Sequence, residues 1–218
     1  MKKPLIIIAA VLAFVLLLLA VGIILLKSGL IPREKFENGD FNIADYKSAV
    51  DMDGDGVDDQ TDILNSVKEY IEKKPKYKSR YYAGGYPDDG YGVCTDVVAQ
   101  GLLGAGYDLM RLVDDDVRAN PGAYSIEKPD KNIDFRRVRN LKVYFDNTAV
   151  SLTTDVKEIE KWQGGDIVVF KGHIGVVSEH RNKNGVPFVY HHANPFQIYF
   201  EEDILESRDD ILGHYRVS

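Results

Sequence analysis

The sequence predicts an α+β fold: helices packed on one antiparallel sheet of about five or six strands, preceded by one transmembrane helix. Three observations predict it. Apolar residues at helical spacing dominate before residue 120. Short apolar runs bounded by turn signals dominate after residue 140. An uncharged apolar run, Leu5–Leu26, stands apart from both. With 218 residues, 13 Tyr and 9 Phe, the chain has ample material for a core, which argues against disorder. A net charge of −7 argues against nonspecific nucleic-acid binding, so no nucleic-acid partner is expected. Cys94 is the single cysteine, which excludes an intrachain disulfide and a Cys-cluster zinc site.

About 20 apolar residues span a bilayer as a helix, and Leu5–Leu26 reaches that length. The run exceeds the roughly 7–15 apolar residues of a cleaved signal peptide, and Lys27-Ser28-Gly29-Leu30 makes a poor cleavage site. Residues 1–26 therefore read as a signal anchor and residues 27–48 as a short polar stalk. No cysteine follows the run, which excludes a lipoprotein anchor. Lys2 and Lys3 favour a cytoplasmic amino terminus, although Lys27, Arg33 and Lys35 pull the other way. The expectation is a single-pass protein of the cell membrane, its C-terminal domain outside the cytoplasm.

Residues 49–62 carry the spacing of a calcium loop. An EF-hand-type loop takes ligands at positions 1, 3, 5, 7, 9 and 12, with glycine at 6 for the sharp turn. Counted from Asp51, these are Asp51, Asp53, Asp55, the Val57 carbonyl, Asp59 and Asp62, with Gly56 at position 6. Asp62 replaces the usual Glu, and its shorter reach resembles the calcium loops of dockerin modules. A structural Ca2+ is expected here; a solvated acidic turn is the alternative. No cofactor is expected for catalysis. Ile63, Leu64, Val67 and Ile71 then predict a helix, capped by Thr61 or Asp62.

A Gly- and Asp-rich loop runs from Tyr86 into Cys94, and Thr95–Leu103 reads as a helix with Val97, Val98 and Leu102 apolar. Cys94 thus stands at a helix N-terminus. There the dipole and free N–H groups stabilise a thiolate and can hold a developing oxyanion. The alternative is a buried, inert cysteine. Leu109, Leu112 and Val113 suggest another helix, closed by Asn120-Pro121-Gly122.

Downstream, Trp162–Phe170 reads as a turn and a buried strand. His173–Ser178 is a second strand, and Val186–His191 a third after the turn Asn182–Gly185. His173 begins one strand and His191 ends the next, so a hairpin can set them side by side. A strand histidine facing a helix-borne cysteine makes a thiolate–imidazolium pair, and a polar residue on the next strand orients the imidazole. A thiol so paired titrates well below the free value of about 8.5.

Gly165-Asp166-Ile167-Val168, followed by His173-Ile174-Gly175-Val176-Val177, resembles the NlpC/p60 papain-like cysteine peptidases. Cys94-Thr95-Asp96-Val97-Val98, Pro129-Asp130, Asn132-Ile133-Asp134, Arg136-Arg137-Val138 and Gly213-His214-Tyr215-Arg216 add a closer likeness, over about residues 60 to 217. Together they are similar to the bacterial domain of unknown function 1287 family. The resemblance implies a papain-like domain over residues 63–218. It implies Cys94 as nucleophile, His173 as general base and His191 as the third group. His192 points to the opposite strand face. The implied activity is that of a membrane-anchored extracytoplasmic cysteine hydrolase acting on amide bonds in peptidoglycan stem peptides. An acyltransferase with the same Cys–His site and an inactive, calcium-dependent wall-binding module are the alternatives. Val93-Cys94-Thr95-Asp96 departs from the superfamily's Asp-Cys-Ser-Gly context.

Tyr91, three residues before Cys94, has two readings. Either its hydroxyl donates to an oxyanion, as in similar enzymes, or it is a loop aromatic covering the core. Asp96 reads as a first-turn carboxylate. Arg136 and Arg137 either grip a substrate carboxylate or join a salt-bridge web with Asp114, Asp115 and Asp116; the web is preferred. His214 is expected to pack on the sheet with Arg216 paired, and His180 to be exposed near a turn.

Overall fold

The computed structural model describes residues 2–27 and 34–218, which fall into two units divided after Arg33. The first unit is one helix, α1 (Lys2–Lys27). Its continuously described side chains, residues 11–22, are fewer than the about 20 a bilayer span takes. Among the described residues no helix is long and apolar enough to cross a membrane. The anchor at residues 1–26 therefore rests on its sequence. Residues 28–33 of the expected stalk lie outside the described residues.

Residues 34–48 are not a stalk but part of the second unit. Phe36 exchanges backbone hydrogen bonds with Arg181, at 2.9 and 2.7 Å. Asn38 accepts from the buried Arg181 guanidinium and donates to Gln163 at 3.1 Å. A polar composition misled the sequence reading: these polar side chains bond inward to the domain instead of solvating a tether.

The second unit runs α2 (Asp59–Glu72), β1 (Lys76–Tyr77), β2 (Tyr91–Gly92), α3 (Cys94–Gly104), α4 (Leu109–Ala119), α5 (Lys131–Asp134), α6 (Val138–Thr148), β3 (Val150–Ser151), β4 (Ile167–Phe170), β5 (His173–Arg181), β6 (Pro187–Tyr190), β7 (Glu201–Glu202) and β8 (Ile211–Arg216). β1 and β2 pair in parallel. The other strands form a six-stranded sheet in the order β3-β8-β4-β5-β6-β7, with every neighbouring pair antiparallel. This is the α+β architecture that the segregation of patterns predicts.

The sheet buries both faces because successive strand residues point to opposite sides. Ile167, Val169, Ile174 and Val176 face a core shared with the helices. Val168, Phe170, Val177 and Val189 face a smaller cluster around Trp162 and Leu205. The fully buried Ile63 and Val67 of α2 join the same core as Val97 and Leu102 of α3. Each such side chain is worth roughly 1.5–3 kcal/mol of burial. Gly104 permits the close approach of the two helices, since a Cβ there would lie 1.8 Å from Ser66 Oγ.

The α2 cap is Asp58, which accepts from Thr61 N at 3.3 Å, and not Thr61 or Asp62. The helix starts earlier because Asp59 and Gln60 have interior partners. Asp59 accepts from Met52 N and the Tyr107 hydroxyl, and Gln60 donates to Gly164 O and Asp166. At the far side of the sheet, Asp166 takes Arg216 in a two-point pair and His214 Nε2 at 2.9 Å. Trp162 stacks on His214 at 3.8 Å, so both His214 and Arg216 have the packed, paired roles expected.

Candidate active site

The start of α3 is locked in place by buried charge. Val93, the N-cap, is extended, and its N–H donates to Asp96 Oδ2 at 2.8 Å. Asp96 also receives Arg136 bidentately, Nε to Oδ1 at 2.7 Å and Nη2 to Oδ2 at 2.9 Å. Arg136 Nη1 donates to Arg80 O at 2.6 Å. Asp96 is thus the first-turn carboxylate expected, but Arg136 neither grips a substrate nor joins the predicted web. Asp114 and Asp115 pair with Arg118 and Arg111, one helical turn away, and Asp116 accepts from Asn120, Tyr124 and Asn147. Local helical pairs satisfied the acids that the sequence alone assigned to distant arginines. Arg137 stays exposed at the α6 N-cap.

Cys94 opens α3 with 9% of its surface exposed. Its sulfur accepts from the backbone N–H groups of Ile174 and Thr95, which sets it against the first residues of β5. His173, the first residue of β5, turns Nε2 to His191 Nδ1 at 3.0 Å, the rings nearly perpendicular. His191 is 3% exposed, and its Nε2 lies 3.2 Å from Glu202 Oε2 on β7. The structure therefore draws together Cys94, His173 and His191, the three residues that the resemblance named.

The electrostatics differ from the expected ion pair. Burial pushes the Cys94 thiol up to about 11, against the lowering effect of the Ile174 and Thr95 N–H groups. Burial, then the charges of His191 and Arg208, takes His173 down to about 3. Asp210 acts the other way, but it is tied to Arg208 at 2.6 and 2.7 Å. At neutral pH the resting pair is an uncharged thiol and an uncharged imidazole. A helix N-terminus alone does not overcome desolvation on a dry face.

His192 stays outside the relay. Its Nδ1 is buried without a hydrogen-bond partner, and its ring meets Tyr77 edge-on at 5.1 Å. Burial, then His191, lowers it to about 4.

The contacts of Tyr91 favour the loop-aromatic reading. Its ring lies under Arg80 at 4.4 Å and Lys78 at 5.7 Å. Tyr77 is the tyrosine whose hydroxyl interacts with the Cys94 thiol; burial first, and then Cys94, raises its pKa. The register places it opposite Gly92, two residues before Cys94. Neither Tyr77 nor Glu202 was foreseen. Tyr77 lies in a two-residue strand with no motif around it, and Glu202 sits in an acidic run that reads as a solvated face.

The acidic loop closes as its glycine spacing predicts. Gly56 has φ of 95°, and Asp51 accepts from Gly54 N, Asp55 N and Gly56 N at 2.7–3.2 Å. Asp51, Asp53 and Asp55 hold oxygens within 4.8 Å of one another. Asp62 faces them. Burial, then Asp55, Asp53 and Asp51, raises its pKa, and its Oδ2 is buried without a partner. Asp59 does not join them, because α2 carries it inward to Met52 and Tyr107.

The family model described as Domain of unknown function (DUF1287) matches residues 64–217. The chain is also 36% identical to the Uncharacterized protein YijF of Escherichia coli (strain K12). That match runs over 151 residues, 65% of this chain and 72% of the relative. No solved structure matches.

Proposed function

The chain belongs to the DUF1287 family, and from that premise we propose that it is an extracytoplasmic cysteine hydrolase of the NlpC/p60 papain-like kind, tethered to the cell membrane by residues 1–26. Its proposed substrate is an amide bond in a peptidoglycan stem peptide. The observation that carries the reading is the junction of a helix-opening Cys94 with the His173–His191 pair at 3.0 Å.

In the proposed reaction the Cys94 sulfur attacks the amide carbonyl as its proton passes to His173 Nδ1. An S–C bond forms, the carbonyl oxygen becomes an oxyanion, and the Tyr77 hydroxyl and helix-start N–H groups stabilise it. The C–N bond then breaks, and His173 returns the proton to the leaving amine. Water attacks the acyl-cysteine, gives its proton to His173, and releases the carboxylic acid and the free thiol. Starting from a neutral pair is consistent with this course. The two charges appear together in the transition state, and each offsets the desolvation of the other.

The loop at residues 49–62 is proposed to hold a structural Ca2+. The donor set fits a hard cation through Asp51, Asp53, Asp55, Asp62 and the Val57 carbonyl, without Asp59. The orphaned Asp62 Oδ2 supports that fit.

The second reading, a calcium-dependent wall-binding module with a silent Cys94, is favoured by the burial of the thiol and its raised pKa. Digestion of purified peptidoglycan by the full-length protein separates the readings. New stem-peptide fragments that vanish with Cys94→Ala support the hydrolase. Transfer of the acyl group to an added amine identifies an acyltransferase. Calcium-dependent retention on sacculi, unchanged by Cys94→Ala and without products, overturns both.

A further inference from the structure

We propose that Glu202 is a positioning residue that sets the proton positions of the whole relay, leaving His173 with a free Nδ1 to act as base. This rests on the reading of Cys94 and His173 as nucleophile and base. It extends the site by one member, on a strand two steps from β5 in the sheet.

The argument runs through hydrogen-bond polarity. An ionised carboxylate only accepts. Glu202 Oε2 stands 3.2 Å from His191 Nε2, so that nitrogen carries the hydrogen. A neutral imidazole then has a bare Nδ1. That nitrogen is 3.0 Å from His173 Nε2, so His173 must supply the hydrogen there. His173 Nδ1 is left with its lone pair, the one ring position able to take the thiol proton. Without the carboxylate, His191 is free to hold its hydrogen on Nδ1 and donate to His173. His173 would then carry its own hydrogen on Nδ1, and the base would be lost.

Gln197 does not compete for this task. Its Nε2 is 3.4 Å from His191 Nε2, but its two hydrogens go to shorter contacts, Tyr199 O at 2.9 Å and His191 O at 3.2 Å. Its Oε1 accepts from Ala193 N at 2.6 Å. The other charged groups felt by His173 are Arg208, Asp210 and His192, and Arg208 and Asp210 are paired with each other.

Glu202 is held in place from its neighbour. β7 pairs with β6, Glu202 opposite Val189 and Glu201 opposite Tyr190, and successive residues face opposite sides. On that other side Glu201 takes Ser178, Lys35 and His180 Nδ1, the last at 2.7 Å. The clamp on Glu201 fixes the short strand that carries Glu202.

The test uses full-length protein in detergent, with two probes that need no natural substrate. p-Nitrophenyl acetate acylates a thiol through an oxyanion with base assistance; iodoacetamide at alkaline pH alkylates the thiolate and needs no base. Glu202→Ala is expected to slow acylation of Cys94 about a hundredfold and to change alkylation by less than about twofold. Glu202→Gln keeps an acceptor oxygen and is expected to recover part of the rate. Long-range 15N–1H spectra read the tautomers directly. Nε2–H forms are expected for His191 and His173 in the wild type, and Nδ1–H forms in Glu202→Ala. Acylation or tautomers that stay as in the wild type overturn the proposal while the hydrolase stands. If the wild type is not acylated at all, the hydrolase reading falls, and the tautomers still decide the role of Glu202.

Discussion

Two histidines on one strand, His173 and His180, have opposite electrostatic fates. His173 begins β5 in a dry corner with Cys94 and His191, and burial drives its pKa down to about 3. His180, near the other end, is only half-buried and bonds Glu201 at 2.7 Å. That bond raises its pKa despite some desolvation. Lys35 and Lys68 surround the same end, paired with Glu201 and Glu179. The difference teaches what each end can do. A carboxylate in direct contact fixes a histidine as a charged structural pair. A carboxylate placed one ring away, as Glu202 is from His173, leaves the imidazole neutral and available as a base.

Substitutions at the two ends should therefore diverge most in chemistry. His173→Ala is expected to slow acylation of Cys94 by p-nitrophenyl acetate by about 10²–10⁴-fold. His180→Ala should leave the rate within about twofold, because it touches no reacting group. Equal losses, measured by stopped flow, would erase the distinction between the two ends.

Stability should diverge as well. Arg136→Ala strands the buried Asp96 carboxylate beneath Cys94 and is expected to cost about 3–5 kcal/mol in urea unfolding. Lys68→Ala breaks a half-exposed pair with Glu179 and should cost less than about 1 kcal/mol. A small loss at Arg136 would mean that the α3 start is held by packing alone.

The tyrosines supply a smaller effect within the dry end. Tyr77→Phe should slow ester acylation by about tenfold, at the low end for an oxyanion donor, with alkylation unchanged. Tyr91→Phe should do neither. The reverse result would restore the oxyanion reading of Tyr91.

The gentlest probe is pH. The folded pKa of His180 is raised, so its contribution to stability is full below the ordinary 6.5 and fades as pH rises through the folded value. Glu201 is lowered to about 2, so its share is present above 4.5 and is lost as pH falls through 2. His173 has the opposite sense to His180: its share is present above 6.5 and fades as pH falls toward 3. NMR titration should show His180 protonating above 6.5 and His173 neutral down to about 3. A His173 that titrates near 6.5 would contradict its burial.

Much of this was legible in the sequence because the signals were local. Ile167–Phe170, His173–Ser178 and the turn at Asn182–Gly185 wrote the central hairpin in the apolar pattern and turn residues. Cys94 at a helix start, with His173 and His191 on adjacent strands, followed from that hairpin and the family likeness. What escaped depends on long-range pairing. Arg136 reaches back forty residues to Asp96, and Glu202 arrives on a two-residue strand. The polar residues 34–48 read as a stalk because their inward partners, Arg181 and Gln163, lie far along the chain. The thiolate expectation failed because a dipole is visible in sequence and the dryness of the surrounding face is not.

Trapping the acyl-enzyme tests the central claim most directly. Full-length protein would be mixed with purified muropeptides, quenched in acid and digested, and the Cys94 peptide weighed. The account predicts a stem-peptide acyl group on Cys94 that forms in the wild type and is lost when His173 is replaced by Ala. An unmodified Cys94 alongside intact muropeptides, or an adduct that forms equally fast without His173, would contradict it.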